Sequence, residues 1–334
     1  MDKRRPLRTL FYGITHEHAA GKLATLRKLH DDFEVVAVVD DRPRGTPHFI
    51  NPACPVDVSG FRVVSEAEAD AITDVDVVFI EMANADLMEL AAKFAMLGIP
   101  MHCDKPCGES MEPYASIAAS CHERGIPFQI GYMYRGNPAV RWIWENVGKG
   151  VVGEVAFMEA DMNHDYGCAG YADYISSFKG GILYNLGCHL IDMLLPLLRG
   201  ELREARPFIG SAPGDPPWAK TYGAAFLRFG RTDVLIRASS HMPGALMARR
   251  LRIDGTLGTI DLCPIERYDG EALKLTLTSK GEKSQEISFG AQRDRYAPQL
   301  VELAAIVRGE KPLDMAGLNR DLKVHETTLR MCEL

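Results

Sequence analysis

Two ionisable side chains stand at positions from which a protein could act on a hydroxyl group. Lys105 follows a short apolar segment and precedes a proline, and His189 follows a glycine-rich turn. Oxidation of a secondary alcohol needs a group that takes the hydroxyl proton while hydride leaves the carbon for a nicotinamide, and either side chain can do this. His189 and Asp192 are three residues apart, a spacing that puts both side chains on one face of a helix. There Asp192 would orient the imidazole or cap the helix. The plainer interpretations are a solvated turn lysine and a core or capping histidine.

A second group of residues suits a dinucleotide. The first apolar segment ends at Gly13 and continues directly into residues 14–21. A phosphate-binding turn from strand to helix needs exposed backbone N–H groups at the helix N-terminus. Asp40 ends the second apolar segment, where a carboxylate can accept hydrogen bonds from a ribose diol. Asp40 and Asp41 would repel a 2′-phosphate, which favours NAD, although Arg42 and Arg44 offset that charge and leave NADP as an alternative.

The elements that position these residues alternate between strands and helices in the first part of the chain. Strands are predicted at residues 7–14, 33–41, 74–82, 99–106 and 126–133, with helices at 19–32, 85–98 and 110–125. The nearly continuous apolar segment 74–82 is typical of a strand buried on both faces. This alternation predicts a doubly wound parallel sheet with helices on both faces.

The rest of the chain has a different pattern. Strands are predicted at residues 153–162, 220–229, 232–240, 249–262 and 272–279, joined by turns with Gly, Asp or Pro. Helices are predicted at 184–200, 298–309 and 315–332. We therefore predict an α/β plus α+β protein. Its dinucleotide-binding Rossmann domain comprises residues 1–131. Residues 132–334 form an open, mainly antiparallel sheet domain for substrate binding and oligomerisation.

The overall composition excludes several classes of protein. The net charge is −7 over 334 residues, and the sequence contains no basic stripe that could pair with nucleic-acid phosphates. The apolar segments are far shorter than a membrane span. The eight cysteines, Cys168 among them, include no Cys-x-x-Cys pair, which is typical of reduced thiols in a cytoplasmic protein.

Short motifs over nearly the whole chain resemble the glucose–fructose oxidoreductase, inositol dehydrogenase and MocA family. Asp104-Lys105-Pro106 is similar to the family's Glu-Lys-Pro motif, and Asn84 to the asparagine of its Thr-Pro-Asn element. Residues 131–138 resemble its Tyr-x-x-Arg-x-x-Pro crossover, and residues 180–192 its Gly-Gly…Asp-x-Gly-x-His-x-x-Asp signature. The resemblance implies a Rossmann half, an open antiparallel sheet and an NAD(P)-dependent oxidoreductase.

The residue patterns and the resemblance together assign site residues to three roles. The predicted catalytic residues are Lys105 and His189. The predicted cofactor-binding residues are Gly13, Ile14, Thr15, His16, Asp40, Ala83, Asn84, Asp104, Lys105 and Arg135. The predicted substrate-binding residues are Lys105, Tyr134, His164, Asn185 and His189. No metal is predicted, because His164, Asp165 and His189 match the spacing of no closed zinc site.

Three departures from the family pattern bear on the chemistry. The second and third glycines of the nucleotide turn are missing. Asn185 stands where the family has an aspartate, and an amide cannot act as a base. Leu87 stands where a histidine often follows the Thr-Pro-Asn element, whose first two residues are Met82 and Ala83 here.

The function predicted from these features is hydride transfer between a nicotinamide cofactor and a hydroxyl or keto carbon of a sugar, cyclitol or derivative. Redox-neutral, NAD-assisted glycoside cleavage is one alternative, and a non-catalytic dinucleotide or metabolite sensor is another. A small sugar-like molecule is the expected partner. A homodimer or homotetramer is expected, because an open sheet with one helix-covered face leaves the other exposed.

Overall fold

The computed structural model describes residues 5–166 and 169–334, and the chain forms two compact units. The first comprises Met1–Met133 and Tyr296–Leu322, and the second Tyr134–Arg295 and Lys323–Leu334. No single helix within the described residues is long and apolar enough to cross a membrane, and one bent pair meets the requirement only when its two helices are taken together. Cys168 lies outside the described residues, and Cys54, Cys103, Cys121 and Cys263 are free thiols.

The first unit is built on a parallel sheet. Six of the described strands form it, in the order β3-β2-β1-β4-β5-β6. They are β1 (Leu7–Tyr12), β2 (Phe33–Val39), β3 (Val63–Val64), β4 (Val77–Ile80), β5 (Met101–Cys103) and β6 (Phe128–Ile130). Four helices connect them: α1 (Ala19–Lys28), α2 (Glu66–Ala69), α3 (Leu87–Leu97) and α4 (Tyr114–Glu123). Every residue of β4 is buried, as its continuous apolar sequence predicts.

The second unit contains a larger, mainly antiparallel sheet. Eight of the described strands form it, in the order β14-β13-β12-β11-β7-β10-β9-β8. They are β7 (Val155–Asn163), β8 (Leu202–Gly210), β9 (Tyr222–Phe229), β10 (Thr232–Ser239), β11 (Arg250–Gly255), β12 (Gly258–Leu262), β13 (Ala272–Ser279) and β14 (Gln285–Ala291). The pairing of β7 with β10 is parallel. The fold class predicted from the sequence is confirmed.

Helices flank the larger sheet and follow it. They are α5 (Pro138–Gly148), α6 (Ala169–Ser176), α7 (Gly181–Leu194), α8 (Ala297–Val307) and α9 (Met315–Met331). Helix α7 is mostly apolar and every one of its residues is buried, including the polar residues Asn185, His189 and Asp192, as expected of a helix in the core. It packs on β7, β9 and β10.

Helix α8 belongs to the first unit, although it follows the second sheet in the sequence. The predicted division of the chain at residue 131 does not include this return. Gln299 donates through its side-chain amide to the carbonyl of Ile130, at the end of β6. Arg308, just after α8, forms an ion pair with Asp32 at 2.7 Å, before β2. These polar contacts span more than 160 residues of sequence, so no local pattern indicates them.

Candidate active site

The carboxyl ends of neighbouring parallel strands bring most of the predicted cofactor residues together. Gly13 follows β1, Asn84 follows β4, and Asp104 and Lys105 follow β5, in a sheet where β1 pairs with β4 and β4 with β5. The Asn84 side-chain amide donates to the carbonyl oxygen of Lys105 at 3.4 Å. Strand order reverses between β1 and β4, and doubly wound sheets bind ligands at such a point.

Gly13 is required by a close approach of two chain segments. Its φ is +98°, and a Cβ added there would lie 2.6 Å from Met82 Cγ and 2.7 Å from the Met82 backbone nitrogen. An L side chain would therefore meet both a strained backbone and an overlap with the segment after β4. This explains why the first glycine of the nucleotide turn is present in a turn that lacks the other two.

The remainder of that turn is bonded within the first unit. The backbone N–H of Ile14 donates to Asp41 Oδ1 at 2.8 Å, and the Thr15 hydroxyl donates to the other oxygen of Asp41. The backbone N–H of His16 donates to the carbonyl of Glu81 at 3.0 Å. A dinucleotide pyrophosphate would normally accept such N–H groups. In this structure Asp41 and Glu81 already occupy two of them.

Asp40, the predicted ribose-binding carboxylate, is bonded to a neighbouring arginine in this structure. It is partly exposed after β2, and Arg42 donates to both of its oxygens at 2.8 and 2.6 Å. The hydrogen bond from Arg42 holds the pKa of Asp40 below its usual value. A partly exposed carboxylate after β2 and a lysine after β5 are residue types that could hold a dinucleotide, whereas the turn after β1 departs from the usual phosphate cradle.

Lys105 is buried and has an acidic neighbour that sequence reasoning did not identify. Its Nζ lies 3.7 Å from Oε1 of Glu17, and both side chains are almost fully buried. Glu17 lies in the turn after β1, so the turn and the end of β5 share this ion pair. No local pattern indicates this pair, because Glu17 and Lys105 lie more than 80 residues apart in the sequence.

A buried polar cluster formed by Lys22, Glu81, His102 and Asp104 lies beneath the turn. Lys22 Nζ donates to Glu81 Oε1 at 2.8 Å, to Asp104 Oδ2 at 2.5 Å and to His102 Nε2 at 2.7 Å. Burial opposes the charge on Lys22, but the Asp104 and Glu81 carboxylates raise its pKa above the usual value. An unpaired charge at this depth would be strongly unfavourable, so these groups depend on one another.

The acids and the histidine of this cluster respond to burial in different ways. Burial raises the pKa of Glu81 well above its usual value, whereas the imidazoles of His16 and His18 and the Lys22 ammonium hold the pKa of Asp104 well below it despite burial. Burial lowers the pKa of His102 to about 3. Asp104 is therefore the ionised acid of the cluster at neutral pH.

Two histidines of the turn face the same acid. His16 Nδ1 lies 3.2 Å, and His18 Nδ1 3.0 Å, from Asp104 Oδ2. Burial lowers the pKa of His16 to about 3 and lowers that of His18 as well. His16 was predicted as a cofactor-binding residue, and the structure places it in this imidazole–carboxylate group. His18 was not predicted, although the His-x-His spacing was visible in the sequence.

In the second unit, His189 and Asn185 lie on buried helix α7. The helix begins at Gly181, whose φ is +54° and where a Cβ would lie 2.4 Å from Lys220 Cβ and 2.6 Å from the Lys220 carbonyl oxygen. The Gly-Gly sequence thus allows the start of α7 to approach the segment before β9. The ring of Tyr134 packs edge-on against the His189 imidazole, with centroids 5.4 Å apart.

The Tyr134 hydroxyl belongs to a buried ionic network. It donates to Glu266 Oε1 at 2.6 Å, and Arg249 donates to the Tyr134 hydroxyl at 3.0 Å and forms an ion pair with Glu266. Arg295 lies 3.3 Å from Glu266 Oε2. Tyr134 was predicted to bind substrate. Its hydroxyl is bonded here, so its contact with His189 is made by the ring.

Two further predicted residues of the second unit have partners of their own. Arg135 Nη2 lies 2.6 Å from Asp192 Oδ1, so Asp192, which was expected to orient His189 or cap its helix, forms an ion pair with Arg135. His164 Nδ1 lies 2.6 Å from the Tyr171 hydroxyl, and its ring contacts that of Tyr166. His164 was predicted to bind substrate, and the structure places it among these aromatic rings.

Comparisons with known proteins agree with the motifs. Residues 140–261 match the profile of the GFO/IDH/MocA C-terminal domain. The rhizopine catabolism protein MocA of Rhizobium meliloti is 26% identical over 149 residues, which cover 43% of this chain and 46% of that protein. The D-apiose dehydrogenase of Paraburkholderia graminis is 22% identical over 125 residues, covering 37% and 32%. Each match thus spans less than half of the curated relative.

Solved structures are similar over almost the whole chain. A 3-ketoreductase from Actinomadura kijaniata, in complex with NADP and TDP-benzene, superposes with a TM-score of 0.78 at 18% identity, covering 97% of this chain and 96% of that one. A UDP-N-acetylglucosamine 3-dehydrogenase from Acidithiobacillus ferrooxidans gives a TM-score of 0.73 at 18% identity, covering 97% of both chains. At these identities the likeness shows the fold. Together the matches confirm the family resemblance.

Proposed function

We propose that this chain, a relative of the Gfo/Idh/MocA proteins, is an NAD(P)-dependent oxidoreductase that acts on a CH–OH group of a sugar, cyclitol or sugar derivative. The observation that carries the proposal is the position of Lys105. It follows β5 at the carboxyl edge of the parallel sheet, beside Asn84 and Glu17. The dehydrogenase and ketoreductase names of its relatives are consistent with this chemistry.

Lys105 would handle the hydroxyl proton. Its ammonium can polarise the substrate oxygen, and its amine can take the proton as the alcohol is oxidised. Glu17 would position Lys105 Nζ and balance its charge. Bound NAD(P) would supply the hydride acceptor or donor. Asp40 would hold the adenosine ribose, and Asp104 would support the lysine through its bond to the Lys105 backbone N–H at 2.7 Å.

The second unit would supply the substrate contacts and a proton relay. We assign the relay to His189, because a neutral imidazole can accept a proton from one group and pass one to another. The ring of Tyr134 packs edge-on against that imidazole and would restrict its orientation. Asn185 can donate and accept hydrogen bonds but cannot act as a base, so proton transfer is left to Lys105 and His189. We further propose a homodimer or homotetramer formed through this unit.

A substrate screen tests the proposal. The protein is incubated with NAD⁺ or NADP⁺ and with aldoses, ketoses, cyclitols or nucleotide-activated sugars, and formation of the reduced nicotinamide is followed by its absorbance. We expect reduced cofactor to accumulate with at least one substrate. Cleavage of a glycoside without net reduction would instead favour the redox-neutral alternative. Cofactor binding without turnover of any substrate would favour the sensor, an outcome that the internally bonded turn makes worth testing.

A further inference from the structure

The His-x-His sequence of the turn after β1 converges with an acid from β5 on one small volume. The Nδ1 atoms of His16 and His18 lie 3.2 and 3.0 Å from Asp104 Oδ2, and one potential ligand atom from each of the three residues lies within 4.8 Å of the other two. We propose that His16, His18 and Asp104 bind a divalent transition-metal ion, with Glu81 as the fourth ligand.

The hydrogen bonds of His16 leave the nitrogen that faces the acids without a proton. Its Nε2 lies 3.1 Å from the carbonyl oxygen of Lys105, a partner that only accepts, so Nε2 carries the proton. Nδ1 therefore has a lone pair, which the backbone N–H of His18 meets at 3.1 Å. The same nitrogen lies 3.2 Å from Asp104 Oδ2. To bind a metal ion, this lone pair would exchange its hydrogen bond from the His18 N–H for coordination of the ion.

Glu81 provides an independent indication. Its Oε1 accepts from Lys22, but its Oε2 is buried and has no hydrogen-bond partner among the described residues. That oxygen lies 3.9 Å from His16 Nδ1. A buried acceptor without a partner is costly, and most such atoms in proteins are satisfied by protein, water or an ion. The unpartnered oxygen of Glu81 points to the same volume as the two imidazole nitrogens.

The ligand types and separations suit a small first-row metal ion. Bonds of about 2.0–2.1 Å to a tetrahedral ion place neighbouring ligand atoms roughly 3.3 Å apart. The separations of 3.0, 3.2 and 3.9 Å lie around that value. Two imidazoles and carboxylates favour Zn²⁺, Fe²⁺ or Co²⁺ over Mg²⁺ or Ca²⁺, which prefer oxygen ligands.

The neighbouring ammonium of Lys22 is compatible with an ion. Lys22 Nζ bonds to Glu81 Oε1 and Asp104 Oδ2, so each carboxyl group keeps a lone pair for the metal, and the negative charge of Asp104 offsets part of the charge of the added cation. The site is buried and surrounded by protein ligands, as in structural metal sites. It would fasten the turn after β1 to the ends of β4 and β5. Because His16 also bonds to the carbonyl oxygen of Lys105, the ion would help to hold the Lys105 backbone in place.

Cobalt binding tests the site without using enzyme activity. The full chain, without an affinity tag, is treated with a chelator, freed of it and titrated with Co²⁺ while visible absorption is recorded. We expect about one Co²⁺ per chain, with the intense bands of a tetrahedral ion that has nitrogen and oxygen ligands. For His18→Ala we expect affinity at least about 100-fold weaker, because one of its ligands is lost. The matched control His30→Ala removes an exposed histidine and should bind as the wild type does.

Several outcomes would overturn the site. They are no saturable Co²⁺ binding by the wild type, equal affinity in His18→Ala, or bands typical only of an octahedral, surface-bound ion. Circular dichroism checks that His18→Ala is folded. X-ray absorption of the Zn²⁺-loaded wild type needs no variant, and we expect histidine scattering and no sulfur in its first shell. Since all these readouts are independent of substrate, failure of the metal site and failure of the dehydrogenase proposal are distinguishable.

Discussion

Lys105 is the residue on which the proposed chemistry depends most. Replacement by methionine keeps a side chain of similar length in a buried position but removes the proton-transfer group. For Lys105→Met we expect kcat to fall by about 10²–10⁴, the usual range for a positioned acid or base. Binding of NAD, measured by isothermal titration, should change much less. The exposed control Lys28→Met should leave both quantities unchanged.

The outcome separates the family mechanism from other chemistry. Turnover close to that of the wild type in Lys105→Met would contradict the role of this lysine. His189→Asn should also lower turnover, but by a smaller factor than Lys105→Met if the imidazole only relays the proton.

Asp40 should determine the choice between the two dinucleotides. Its carboxylate can accept hydrogen bonds from a ribose diol, and it also binds the Arg42 guanidinium. Asp40→Ala removes the acceptor and releases Arg42 toward a 2′-phosphate, so we expect the preference of the wild type for NAD over NADP to shrink by about 10-fold or more. Titration calorimetry with both cofactors measures the ratio of dissociation constants. A wild type that prefers NADP would contradict the assignment, and Asp31→Ala serves as the exposed acidic control.

At the level of residues, the sequence was informative where a group belongs to a short motif. Lys105, Asp40 and His189 could be proposed because strand ends and glycine-rich turns indicate them locally. Lys22, His18 and Glu17 could not, because their partners Asp104 and Lys105 lie more than 80 residues away. The proposed metal site could not be predicted for the same reason, since His-x-His gains its third ligand only after the parallel sheet forms.

At the level of elements, apolar segments predicted most strands and helices. The segment 249–262 was taken as one strand, whereas it forms the hairpin of β11 and β12 around residues 256–257. Strands β8 and β14 were not predicted. Strand β14 is mostly exposed, so it lacks the alternation of apolar and polar residues on which strand prediction depends. Helices α5 and α6 were not predicted either.

The network around Glu266 predicts a pH dependence of the second unit. Burial acts against ionisation, but Arg295 and Arg249 hold the pKa of Glu266 below its usual value of 4.5, and Tyr134 and Tyr268 donate to it. A carboxyl group whose pKa is lower in the folded state stabilises the fold above its unfolded pKa, and this contribution is lost as pH falls through the lowered value. At acidic pH the wild type should therefore lose the stabilisation that ionised Glu266 provides.

Glu266→Gln tests this dependence. At pH 7 we expect the free energy of unfolding to fall by about 3–5 kcal/mol, because buried Arg249 loses its charged partner. The difference from the wild type should narrow as the pH is lowered toward about 3. All three tryptophans, Trp142, Trp144 and Trp218, lie in the second unit, so urea unfolding followed by their fluorescence reports on it. A difference independent of pH would contradict the account, and the exposed Glu271→Gln is the control.

At the level of the whole molecule, two successive patterns of hydrophobicity predicted two sheets of different kind. Parallel strands buried on both faces and antiparallel strands with alternating burial differ in sequence, so both sheets could be predicted. The return of residues 296–322 to the first unit could not be predicted. It depends on contacts of α8 with β6 and of Arg308 with Asp32, which are distant in sequence and carry no motif.

Self-association is expected through the open face of the larger sheet. Helix α7 packs on one face of β7, β9 and β10, whereas Phe208, Tyr222 and Leu235 are 67%, 40% and 40% exposed. The strand registers put them on one face, because Phe208 pairs with Ala224, and Leu235 pairs with Phe226 of the same strand as Tyr222. An exposed apolar sheet face of this kind is typical of a protein–protein interface.

We therefore predict that the wild type sediments as a dimer or tetramer at micromolar concentration. Leu235→Glu would place a charge on each side of the interface, where burial without a partner is unfavourable, so this variant should sediment mainly as a monomer. Because Leu235 is already partly exposed within one chain, the substitution should change the fold of the isolated chain little. The control Met96→Glu alters a residue of α3 that is 75% exposed and lies in the first unit, and it should retain the wild-type assembly. A wild type that is monomeric under these conditions would contradict the role of this face, as would an unchanged assembly in Leu235→Glu.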